Sequence, residues 1–169
     1  DSDHKQFNWC ISASKELSIS SNDLWEIIST PSNLELFHPF CLKNPVIDWP
    51  GLKSIDQIYY HSGLIYERNF INWIDGAGYD LLIGEKKSAK SFVSWRIKKM
   101  NQSSTIIISI YPYIYNKGNK VINFLPYFLF IKPTLAKYLE SVLNGLKYYC
   151  ETKKVVQKNQ FGSHKIFSN

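Results

Sequence analysis

A chain of 169 residues with 44% hydrophobic and 20% charged side chains has the balance of an ordinary globular domain, long enough to bury roughly two-thirds of its unfolded surface. It therefore needs neither a disulfide framework nor a structural metal to fold, and Cys10, Cys41 and Cys150, far apart and in no CxxC or Cys/His spacing, supply neither. The net charge of +6 rests almost wholly on lysine, with arginine only at Arg68 and Arg96; so few bidentate side chains speak against a dedicated nucleic-acid surface.

Cysteine usage points to a reducing, cytoplasmic compartment. His4, His38, His61 and His164 fall at no i, i+4 spacing, so no metal site is expected, and no motif calls for a cofactor. No segment has the basic, apolar and small-residue order of a signal peptide.

In chain order, "FNWCISASKELSIS" alternates as a first strand with Phe7, Trp9, Ile11 and Ala13 on one side, and a bulge near Ser14 is expected before Leu17 and Ile19. "SSNDLWEIISTPSNLELFHPF" follows, where Ser21 or Asn22 can cap a short helix ending at Pro31, and a second short helix runs through Leu34 and Phe37 to Pro39. From about residue 45 to 115 the pattern is strand-like, with turn signals at "WPG", "HSG", "DGAG" and "NQSS". Turns so closely spaced imply antiparallel hairpins.

Within "LIYERNFINWI", Tyr66, Arg68, Phe70 and Asn72 share one face of a regular strand. If that face points inward, Arg68 is a buried cation that must find a carboxylate or a ligand anion. Arg96 has the opposite parity to Val93, Trp95 and Ile97 and is expected to point outward. Asp56, Glu67, Asp75, Asp80 and Glu85 fall at strand ends or turns and read as solvated charges.

"VINFLPYFLFIKP", residues 121–133, is an apolar run broken by Pro126 and too short for the roughly 20 residues of a membrane-spanning helix. Phe124, Leu125, Tyr127, Phe128 and Phe130, flanked by Lys120 and Lys132, suit a pocket lid or transient contact with a membrane surface. The longest helix follows in "PTLAKYLESVLNGLKYYCETKK", with Leu135, Leu139, Val142, Leu143, Leu146 and Tyr149 at helical spacing. Gly145 inside it is tolerable if it lets the helix approach the sheet closely. The whole chain, 1–169, reads as one domain, with a core over 7–154 and a polar tail over 155–169.

Strand, two short helices, a run of antiparallel strands and a long C-terminal helix is the element order of an α+β helix-grip fold. Together with "SSNDLWEIISTPSNLELFHPF", "WPG", "GLIYERNFINW", "GYDLLIG" and "VSWRI", it resembles the START-like or SRPBCC superfamily, in particular its polyketide cyclase/dehydrase-like members. The resemblance implies a curved antiparallel sheet of about six to seven strands wrapped around the last helix. A cavity between them would bind a hydrophobic or amphipathic small molecule such as a lipid, quinone or polyketide.

In such a cavity the candidate ligand contacts are Tyr59, His61, Tyr66, Arg68 and Phe70 from the first strands, with Trp95 and Tyr111 from the last. Phe124 and Phe128 from the apolar segment and Leu139 from the long helix complete the set. Aromatic walls with a few polar handles are the usual lining of a ligand pocket. His38, at the end of the second short helix, and His61 are the residues suited to acid or base work near neutral pH. Two other classes stay open: a polyketide cyclase or dehydratase-like enzyme, which needs ordered polar groups inside the cavity, and a protein-interaction module, which would have a filled one.

Overall fold

The structure, a computed structural model, describes residues 9–113 and 127–169, with the backbone alone at 127 and 128. Strand β1 (Ile11–Leu17) pairs antiparallel with β8 (Ser104–Tyr111) in unbroken register, from Ile11 opposite Ile110 to Leu17 opposite Ser104. The bulge expected near Ser14 does not form. Leu17 has the same parity as Ile11, so no extra residue is needed to bury both, and Lys15 merely interrupts the inward row.

Helix α1 (Ser21–Ser29) begins one residue earlier than expected, because Ser20 is the cap: its Oγ accepts from the Asp23 N–H at 3.1 Å and donates to the Asp23 carboxylate at 2.7 Å. Leu24 and Ile28 are its buried stripe. Helix α2 (Leu34–Phe37) is a single turn that buries Leu34 and Phe37.

The remaining strands are β2 (Cys41–Lys43), β3 (Val46–Asp48), β4 (Ile55–Tyr60), β5 (Ile65–Ile74), β6 (Gly78–Gly84) and β7 (Ser91–Lys99). They form with β1 and β8 an eight-stranded antiparallel sheet in the order β1-β8-β7-β6-β5-β4-β2, with β3 also paired to β4. The count exceeds the six to seven expected. Strands of only three residues, such as β2 and β3, show too few alternations for a period to be read.

Strand parity assigns the core. Asp56, Ile58 and Tyr60 of β4 are buried with Arg68 and Phe70 of β5, Tyr79 and Leu81 of β6, Val93 and Trp95 of β7, and Ile106, Ile108 and Ile110 of β8. The β5–β6 register shifts between Phe70 and Asn72. That irregularity turns Asn72 out to solvent and brings Trp73, in place of Asn72, against Trp25, Trp49, Phe70 and Tyr79. Asn72 therefore does not share the face of Tyr66, Arg68 and Phe70.

Helix α3 (Lys132–Thr152) follows a π-helical turn over Tyr127–Ile131 and packs on β1 and α2. Pro133 lies in its first turn, where its missing N–H costs nothing, and Lys153 ends it in the left-handed conformation with its N–H on the Tyr149 carbonyl at 2.8 Å. Leu139, Val142, Leu143 and Leu146 are buried, and Leu135 and Tyr149 partly so. Gly145 serves a close approach, but to α2 instead of the sheet: a β-carbon there would overlap the Phe37 carbonyl oxygen and press on Pro39. Gly145→Ala is expected to cost about 1–3 kcal/mol in urea unfolding by overpacking, against a helix-propensity gain of about 1 kcal/mol. An unchanged or stabilised variant would show that the two helices can separate freely.

After α3 the chain folds back. The Val156 N–H reaches the Leu36 carbonyl (3.0 Å), Asn159 reaches Pro39 (3.2 Å), and the Phe167 carbonyl accepts from Ser62 (3.2 Å). His164 joins this tail to the start of α3 through Nε2 and the Thr134 carbonyl at 3.0 Å. Phe167, near the C-terminal end of the sequence, is buried in the core.

Candidate functional site

Between the inner face of the sheet and α3 lies a cavity of about 490 Å³. Its walls are mainly apolar: Ile58, Leu81, Val93, Trp95, Ile108 and Ile110 from the strands, Leu135, Leu139 and Val142 from the helix, and Ile166 and Phe167 from the folded-back tail. Exposed Glu85 and Ser88, between β6 and β7, also border it and mark where it meets solvent. Two hydrogen-bonded groups stand in its polar lining.

The first is an ion pair. Arg68 and Asp56 are direct cross-strand partners, and Arg68 donates through Nε to Asp56 Oδ1 at 2.7 Å and through Nη2 to Oδ2 at 2.5 Å. Both side chains are buried, at 2% and 0% exposure. Asn44 donates to the same carboxylate at 3.0 Å and accepts from the Leu34 N–H at 3.3 Å, which ties the pair to α2. Burial works against the guanidinium charge, but the Asp56 carboxylate outweighs it and holds the Arg68 pKa above its ordinary value. The face of Arg68 thus points inward, and the carboxylate that a buried cation there requires comes from within the protein. Asp56 is correspondingly not the solvated charge its position near a turn suggested, and nor is Asp80, which is buried on the other parity beside Arg96 and Asn72.

The second group is His38, Tyr138 and Tyr60. His38 Nδ1 accepts from the Phe40 N–H at 3.2 Å, and Nε2 stands 2.8 Å from the Tyr138 hydroxyl. Tyr138 and Tyr60 hydroxyls are 3.0 Å apart. Burial, helped by the charge of Arg68, lowers the His38 pKa to about 3, so the ring is neutral and Nε2 carries its hydrogen. Burial also raises both phenols well above their ordinary value. Phe167 packs beside both rings, at centroid distances of 4.6 and 4.7 Å from Tyr60 and Tyr138.

Of the residues anticipated as ligand contacts, Tyr66, Arg68, Trp95 and Leu139 border this cavity. Tyr59 points the other way from Tyr60 and bonds weakly to Gln57 at 3.4 Å, and His61 lies just past the end of β4. Phe70 is buried among Trp49, Trp73 and Tyr79, away from the cavity lining. Tyr111 packs against Phe92 on the opposite parity to Ile110. Phe124 and the Phe128 side chain lie outside the described residues.

The sequence reading missed Tyr60, Tyr138 and Phe167. Tyr138 was accessible to it, since 135, 138, 139 and 142 make one helical stripe. Phe167 carried no such signal, because nothing periodic marks a tail that folds back. Among the described residues no cluster of three or more His, Cys, Asp or Glu is placed to hold a metal ion, and no helix is long and apolar enough to cross a membrane.

No protein-family model and no curated protein sequence matches the chain. Solved structures do. The di-domain ARO/CYC BexL from the BE-7585A biosynthetic pathway superposes with a TM-score of 0.68 at 8% identity, over 85% of this chain and 47% of its own. DynU16, a protein of the dynemicin biosynthetic locus, gives 0.66 at 9% identity, over 90% of this chain and 52% of its own. The chain thus spans about half the length of each. Ara h 8.0201 gives 0.60 at 8% identity, over 85% of this chain and 98% of its own. An antiparallel sheet closed by one long C-terminal helix, shared with these structures at such low identity, is the helix-grip fold.

Proposed function

We propose that the chain binds a hydrophobic or amphipathic small molecule in the cavity between the sheet and α3. The observation that carries this reading is a mainly apolar space of about 490 Å³ whose buried cation, Arg68, is already paired with Asp56. Interiors are normally packed as densely as organic crystals, and a void of this size lies within the roughly 300–1,000 Å³ of small-molecule pockets. A module that used this face only to build a core for protein contacts would have filled it.

The biosynthetic setting of BexL and DynU16 supports a polyketide-type molecule as one ligand. A cyclase or dehydratase reading needs a base poised toward the cavity, and neither His38 nor Asp56 is free to serve as one. His38 has its free nitrogen occupied by Phe40, and Asp56 is held by Arg68 and Asn44. Leu129 and Phe130, exposed beside Lys132, support transient contact of the 121–133 segment with a membrane surface.

Two measurements test binding. Native mass spectrometry of the purified protein, followed by denaturing extraction, is expected to release a co-purified apolar molecule. The neutral dye Nile red is expected to bind the wild-type protein, and Val142→Trp, which projects an indole into the cavity, to weaken it by about tenfold or more with the circular dichroism unchanged. No released molecule, no dye binding and no thermal shift with apolar compounds would transfer the argument to a protein partner.

A further inference from the structure

Which atoms of the ligand the cavity reads follows from counting hydrogens in its polar lining, an argument that rests on the binding reading above. The Phe40 N–H occupies His38 Nδ1, so the hydrogen of the neutral ring is on Nε2 and points at the Tyr138 oxygen. Tyr138 and Tyr60 share one further link. His38, Tyr138 and Tyr60 bring three polar hydrogens to these two links. Whichever way the two phenols are oriented, one O–H is left over, on Tyr60 or on Tyr138, and among the described residues it has no protein acceptor. Both tyrosines border the cavity.

We infer that the His38–Tyr138–Tyr60 chain is a built hydrogen-bond donor for an uncharged oxygen of the bound molecule, such as a ketone, quinone or ester carbonyl, and that the cavity rejects carboxylates. Two links consume two of the three hydrogens, so one O–H is left to donate. His38 fixes the direction of donation from one end, and Phe167, packed beside both phenol rings, restricts where the spare O–H can turn. Among the described residues a fatty-acid carboxylate meets no unpaired positive charge there. Asp56 takes Arg68 Nε and Nη2, His38 is neutral, and the other charged side chain on the lining is the acidic Glu85. Moving an ionised carboxylate out of water without a partner is far more costly than moving a ketone.

Three probes of one shape test the inference by calorimetry at pH 8: 2-acetylnaphthalene, 2-ethylnaphthalene and 2-naphthoate. The ketone is expected to bind at least about tenfold tighter than the carboxylate. Replacing both phenols (Tyr60→Phe with Tyr138→Phe) is expected to weaken the ketone by about two- to tenfold and to leave the hydrocarbon unchanged. In the unaltered protein, the infrared carbonyl stretch of bound 2-acetylnaphthalene should lie below its value in hexane, a readout that survives if the double variant does not fold. A carboxylate bound as tightly as the ketone, a ketone-to-hydrocarbon ratio insensitive to the phenols, or a hexane-like stretch overturns the donor assignment while the hydrocarbon's binding leaves the cavity reading intact. If the hydrocarbon and the ketone both fail to bind, both readings fall together.

Discussion

Asp56→Ala is expected to lower the unfolding free energy by about 3–5 kcal/mol, among the largest losses from a single substitution in this chain, because it strands the Arg68 guanidinium where only 2% of the side chain reaches solvent. The pair itself need not be strongly stabilising, since desolvation of both ions offsets their attraction. Its removal as a unit, Asp56→Leu with Arg68→Met, should therefore recover most of the loss. Urea unfolding of the two single variants and the double gives the coupling directly. A loss under about 1 kcal/mol for Asp56→Ala would mean that the cavity admits enough water to solvate Arg68, and would weaken the case that the cavity is apolar.

Stability should fall steadily as pH drops from about 6.5 toward 3, through His38. Burial and then the charge of Arg68 lower its pKa from 6.5 to about 3; a backbone hydrogen bond opposes them, and His61 adds a smaller lowering. Between those values the unfolded chain binds a proton that the folded chain excludes, so the contribution is complete above pH 6.5 and is lost on acidification. At pH 4.5, two units below the unfolded value, the loss is on the order of 2–3 kcal/mol. His61 and His164, whose pKa values burial also lowers, act in the same direction. Unfolding of wild type and His38→Gln at pH 7.5, 6.5, 5.5 and 4.5 should show a shallower decline in the variant. Identical slopes would place His38 in contact with water.

Much of the fold was legible because its signals are local. The α3 stripe from Leu135 to Leu146 repeats at the helical period, and the parity of Tyr66, Arg68 and Phe70 held until the register shift after Phe70. The shift itself was not legible, because "FINWI" permits either parity and only pairing with Tyr79 and Asp80 of β6 decides it. In "IDQIYY" both tyrosines are equally good strand residues. Tyr60 faces the cavity instead of Tyr59 because Asp56, four residues before it and of the same parity, must face Arg68.

The amino-acid sequence alone determined the element order, the amphipathic face of the last helix and the shared parity of Tyr66, Arg68 and Phe70, since each depends on residues within a few positions of one another. The tertiary structure decided which group satisfies Arg68, which tyrosine lines the cavity and what closes it. His38 and Tyr138 lie 100 residues apart, and the tail that brings Phe167 onto Tyr60 returns across the β4–β5 turn. No local period encodes such meetings; they follow from the sheet register and from the closure of α3 and the tail over it.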